Sequence, residues 1–166
     1  MRFSDILALP YDTNTGKPDS AAVSAALPGV PAEVLTQFFG DHGRNPDFQS
    51  QYASLELGEV VWKKLRLPAS ELLAASKYAR FETWFDSVSK RLAAFPERGW
   101  RSLAVRKPVV EHWERHATWV VPPVFVSGEL AGSPAKLHLA EGHTRLGTLA
   151  GAVNAGLVSW ESLHEI

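Results

Sequence analysis

The stretch LHLAEGHTRLGTLAGAVNAG, residues 137–156, leaves the chain few ways to fold. Residues 137–141 alternate, with Leu137 and Leu139 on one side and His138 and Ala140 on the other, which is the period of a strand. Gly142 ends that strand. HTRLGTLAGAVNAG then reads as a helix running to Asn154–Gly156, residues suited to a C-terminal stop. Gly147, Ala150 and Gly151 keep this helix thin, which predicts close packing on a sheet. If the leucines face the core, His138 lies on the more polar side of the strand.

The remaining segments supply partners. Residues 10–31 are rich in Pro, Gly, Ser, Asp and Thr and predict a long loop or weakly ordered arm. Pro31 opens a helix reaching roughly Gly40, with Val34, Leu35, Phe38 and Phe39 on one stripe, and the DHGRNPD segment breaks it. A strand is expected near 60–67, then a short helix around ELLAAS. Tyr78, Phe81, Trp84, Phe85, Val88 and Leu92 recur at helical spacing, predicting an amphipathic helix to about Ala94 whose stripe is core. A turn is expected at Pro96–Gly99 and a helix over Lys107–Ala117. In WVVPPVFVSG, Pro122-Pro123 interrupts two strand-like runs, so that strand belongs at a sheet edge or comes after a bend. A hairpin-like connection joins it to 137–141, and the tail after Gly156 has room for a last short strand. The predicted fold is α+β: a small mixed sheet with packed helices over residues 56–166, preceded by a helical N-terminal extension over 1–55.

Composition narrows the function classes. At 166 residues, 45% hydrophobic and 21% charged, the chain is long and apolar enough for a core. No apolar run approaches the ~20 residues of a membrane span, and the first residues make a poor signal peptide. Cysteine is absent, which excludes disulfides, thiolate metal sites and a Cys nucleophile. A cytoplasmic protein with no membrane association is the expectation. The net charge of -1 conceals an asymmetry: residues 1–62 hold three bases against eight acids, residues 63–115 twelve against six. Such a basic middle suits an anionic ligand or partner, although the overall balance is unlike that of a dedicated DNA-binding domain.

The strand–Gly–helix junction is where chemistry concentrates. The first N–H groups of a helix point forward and its dipole favours an anion there. Gly142 lets a ligand approach the backbone, Thr144 adds a hydroxyl, and Arg145 adds a guanidinium suited to phosphate or carboxylate. Glu141 and His143 flank the turn as candidate acid–base groups. An ordinary turn with surface Arg and His side chains accounts for the same residues.

PPVFVSG and LHLAEGHTRLGTLAG together resemble the ParB/sulfiredoxin-like superfamily, over about residues 119–156. In that superfamily a Gly-x-x-Arg turn entering a helix commonly binds nucleotide phosphates, and Gly142 and Arg145 match its Gly and Arg. Glu141 and His143 are similar to the acidic-Gly-His pattern of its free-serine-kinase and nuclease-like members. The resemblance implies a nucleotide-binding domain with NTPase or phosphotransferase potential, taking ATP or CTP, with Mg brought by the nucleotide. Phosphates would lie on Gly142, Thr144 and Arg145, and Glu141 and His143 would be the catalytic pair. Sulfiredoxin carries a Cys where this chain has His143, so sulfinic-acid reduction is excluded. The chromosome-partitioning members carry a second Arg where Thr144 stands, together with further domains for which little chain remains here.

Other constellations bear on the alternatives. One alternative is a non-catalytic module that binds a protein partner and retains only a degenerate phosphate pocket. Lys90, Arg91, Arg98, Arg101, Arg106 and Lys107, with Trp100 among them, suggest a nucleic-acid binder or nuclease; Trp100 equally suits a loop anchor. His112 and His116 share a helix face at chelating spacing but lack a third ligand nearby. His138, Glu141 and His143 offer an alternative metal set, and no resident metal is expected.

Overall fold

A computed structural model describes residues 1–166, the side chain of Glu59 excepted. The chain divides into two compact units, Met1–Lys63 with Glu129–Gly132, and Lys64–Gly128 with Ser133–Ile166. The class is α+β, as predicted.

The first unit is helical and organised by aromatic rings. A 3-10 turn at Phe3–Ala8 buries Phe3 and Ile6. Residues 10–31, expected as a loop, instead contain helix α1, Ser20–Ala26. Asp19 caps it by accepting from the Ala22 N–H at 2.8 Å, and the Tyr11–Pro18 bridge closes the preceding turn. The Pro and Gly content masked a short Ala-rich helix with a good cap. Helix α2, Ala32–Val34, runs on as a π-type turn over Leu35–Gly40. That wider turn lets the consecutive Phe38 and Phe39 both face inward, each fully buried, where they meet Phe3 at centroid separations of 5.2 and 6.0 Å. Helix α3, Pro46–Tyr52, is capped by Asn45 and adds Phe48 and Tyr52 to the cluster.

The second unit builds around one helix. Its elements are β1 (Arg66–Pro68), α4 (Ala69–Leu73), β2 (Ser76–Lys77), α5 (Glu82–Ser89), α6 (Phe95–Arg98), α7 (Lys107–His116), β3 (Val124–Ser127), β4 (Leu137–Glu141), α8 (His143–Asn154) and β5 (Leu163–Glu165). Strand β4 is central in the order β2-β4-β3, parallel to β2 and antiparallel to β3. The double proline therefore precedes an edge strand, as its missing donors require. Strands β1 and β5 form a separate antiparallel pair.

Several expectations change here. The strand near 60–67 shrinks to Arg66–Pro68, paired with Leu163–Glu165 and continued one step by the two backbone bonds that Leu65 and Ile166 exchange. The helix from Tyr78 divides into a 3-10 turn at Ala79–Phe81, α5, and a 3-10 run at Lys90–Ala94. Ser87 and Ser89 hydroxyls donate to the carbonyls of Trp84 and Asp86, competing with the helix ladder where it tightens. Residues 96–99 are not a plain turn, since Pro96 helps open α6 and the chain turns at Gly99 with φ 55°. His138 is 3% exposed rather than on a polar side, because a central strand is covered on both faces. Ser76 meets its ring, with Oγ 2.9 Å from Nδ1.

Helix α8 is buried on nearly every side, from His143 to Val153, with Leu146, Leu149 and Ala152 at zero exposure. Its small residues serve a helix rather than a sheet. A Cβ at Gly147 would stand 3.1 Å from the Phe85 carbonyl oxygen, and one at Gly151 would collide with the Ser89 carbonyl. These glycines let α5 backbone lie directly on α8. Around them pack Leu72, Leu92, Leu103, Trp113, Trp119 and Leu139. Full burial of each such leucine contributes about 1.5–3 kcal/mol.

Candidate functional site

The β4–α8 junction brings the five residues singled out from the sequence into one turn. Gly142 has φ 105°, a conformation that excludes most side chains, and a Cβ there would meet Pro123 Cβ at 2.5 Å. Gly142 thus permits both the reversal and the approach of the proline bend. The first intrahelical bond runs from the Leu146 N–H to the Gly142 carbonyl.

Arg145 turns back across this junction. One Nη donates to the carbonyls of Val121, at 3.1 Å, and Pro122, at 3.4 Å; the other pairs with the Glu141 carboxylate. The two side chains are only 23% and 17% exposed. Desolvation makes such a pair costly to split, since removing either partner leaves a partly buried charge. The pair fixes the guanidinium plane beside the turn and lowers the net charge an incoming anion would meet.

Thr144 faces the other way. Its Oγ1 accepts from Trp84 Nε1 at 3.1 Å, and Trp84 is 49% exposed. The helical spacing puts Trp84 in the core stripe, and the structure corrects this. Its indole spans the boundary, with the N–H satisfied and much of the ring open, as suits an amphipathic aromatic. The Arg91 guanidinium lies 5.3 Å from the ring centroid and also donates to the Leu103 carbonyl at 3.0 Å. The clue in sequence was the N–H itself, since a buried Trp needs an acceptor and few lie inside a leucine-rich stripe.

His143 is 8% exposed and packs against Phe81, with ring centroids 4.6 Å apart. Glu141 and His143 therefore share the junction without sharing an environment. Compared with known protein families, curated proteins and solved structures, the chain finds no match. What the junction can do thus rests on its own geometry.

Among the described residues, no group of three or more His, Cys, Asp or Glu side chains is gathered to hold a metal ion. The alternative set of His138, Glu141 and His143 does not assemble: His138 is engaged with Ser76 and Glu141 with Arg145. Glu141 is one carboxylate, so a Mg ion at this turn would take most of its oxygens from a ligand. His112 and His116 lie against each other on α7, ring centroids 4.5 Å apart. Trp100 packs between Phe95 and Trp113, at 5.4 and 6.0 Å, which is the loop-anchor role. No described helix is long and apolar enough to cross a membrane.

Proposed function

We propose that the second unit is a nucleotide-binding domain whose phosphate site is the Gly142–Arg145 turn. The observation that carries this reading is the half-exposed Trp84 indole hydrogen-bonded to Thr144 at the start of α8. It supplies an open aromatic surface beside a turn suited to an anion, the two chemistries a nucleotide needs. Phosphate oxygens would meet Thr144, Arg145 and backbone after Gly142, with the base stacked on Trp84. ATP and CTP are the candidates, with Mg arriving on the phosphates and Glu141 the protein carboxylate beside it.

Calorimetry with ATP and CTP, each with and without Mg, tests the assignment. Arg145→Ala is expected to weaken binding by about 1–3 kcal/mol, the scale of a lost charge-assisted contact. Because that change also strips Glu141 of its partner, Trp84→Ala provides a second reading at an exposed position, with a loss of about 1–3 kcal/mol from base stacking. Nucleotide affinity unchanged in both folded variants overturns the proposal.

One observation favours binding without turnover. Glu141, the candidate base, is held by Arg145, and His143, the candidate acid, is buried against Phe81. A module that binds nucleotide to present a surface to a protein partner fits that arrangement. Release of nucleoside diphosphate and phosphate by the purified protein, lost in Glu141→Gln, would favour the NTPase reading instead, with water taking the phosphoryl group.

A further inference from the structure

A cavity of about 440 Å³ opens between the start of α7 and residues 119–121, and the residue it shares with the turn above is Arg145. Its wall is Pro108, Val109, Trp113, Trp119, Val120 and Val121, with Arg106 and Arg145 at its margin. This volume lies in the range of small-ligand pockets. None of the lining side chains is a hydroxyl, carboxamide or carboxylate. The Trp119 indole N–H is already given to the Glu165 carbonyl at 2.8 Å. Val120 and Val121 remain 54% and 40% exposed, apolar surface that a bound molecule would cover.

The two guanidinium groups are not equivalent. Arg145 is answered by Glu141, whereas Arg106 is exposed and makes no ion pair among the described residues. The cavity therefore presents an apolar wall and one uncompensated positive charge.

We propose that this cavity binds a small monocarboxylate with an apolar body, its carboxylate on Arg106 and its hydrocarbon against Val109, Trp113, Trp119 and Val121. A neutral hydrocarbon would leave Arg106 unused. A sugar or base would bury hydrogen-bonding groups against a wall that offers them no partners. An apolar acid satisfies both halves of the site. Aliphatic and aromatic acids share this chemistry, and the test separates them.

The experiment titrates the full chain with octanoate and with 4-phenylbutyrate by calorimetry, with tryptophan fluorescence measured in parallel. One acid is expected to saturate at a single site, at least tenfold more tightly than its own amide. Arg106→Ala, at an exposed position, should weaken that acid about tenfold or more, and Arg106→Lys should restore much of the loss. Val109→Phe should exclude the ligand by filling the cavity. The proposal is overturned if neither acid saturates, if acid and amide bind alike, or if Arg106→Ala leaves affinity unchanged. Competition between ATP and the acid, with Val109→Phe abolishing the binding of both, would also overturn it, since the cavity would then belong to the nucleotide site. Because nucleotide binding is read separately through Trp84→Ala, either assignment can fail alone.

Discussion

Helices α7 and α8 each begin with an arginine near a chain reversal, yet they use it in opposite ways. Arg145, in the first turn of α8, is folded back onto Val121, Pro122 and Glu141. Arg106, at the N-cap of α7, is exposed, with no ion pair among the described residues. The helices differ in the same sense: α8 is buried on nearly every side, whereas α7 buries only Trp113. A helix enclosed by protein must neutralise its charges internally, because unpaired charge there is expensive. One that faces water can leave a cation for a ligand. Motif matching favours Arg145, while charge accounting draws attention to Arg106.

The largest effects should fall where that contrast is steepest. Leu149→Ala in α8 is expected to cost about 2–5 kcal/mol, whereas Glu114→Ala, on the exposed side of α7, should stay within about 0.5 kcal/mol. Urea unfolding of both variants measures it, and comparable losses would break the comparison. Gly151→Ala comes next. Its new methyl would press on the Ser89 carbonyl, so a loss of about 1–3 kcal/mol is expected in spite of alanine's better helix propensity. A stabilised Gly151→Ala variant would mean that α5 does not lie on α8 as described.

Strand β4, the Gly142 break and α8 are local in cause, set by alternation, a glycine and a run of small residues, and all three can be read directly from the sequence. The edge position of β3 is legible in Pro122-Pro123. The partner of Gly147 and Gly151 is not legible, because small residues announce close approach without saying whether a sheet or a helix approaches. His138 misleads for a related reason: alternation assigns faces to a strand, but only the neighbouring elements decide whether both faces are covered. Trp84 and Arg106 are hidden by their surroundings in sequence, the first by an apolar stripe and the second by a run of bases. At the candidate site, the residues of the turn are visible as types, but the closure of Arg145 onto Glu141 depends on the Val121–Pro122 bend, far earlier in the chain.

The smallest predicted effect compares histidines beside the two helices. His138 lies on the strand leading into α8, beside Ser76 and Lys77; burial, and then the Lys77 charge, push its pKa down. His164 lies near the end of α7, with Nδ1 2.9 Å from Thr118 Oγ1 and Nε2 2.8 Å from Ser162 Oγ, its ring against Trp119. Burial, and then the Arg66 charge, push its pKa down also. Both are favoured neutral in the folded chain, so the unfolded chain binds the proton first as pH falls. Their contribution is therefore present above about pH 6.5, the ordinary histidine value, and is lost as pH drops from there toward the depressed folded values. Each ring can add at most about 1.4 kcal/mol per pH unit to the slope. Urea midpoints at pH 7.5, 6.5 and 5.5 should fall, and His164→Gln should flatten the decline while leaving the His138 share. An identical slope in wild type and His164→Gln would mean that the His164 ring accepts its proton as readily folded as unfolded. The hydroxyl pair around it would then be accommodating the cation, and the surroundings of His164 would be more open to water than the buried strand before α8.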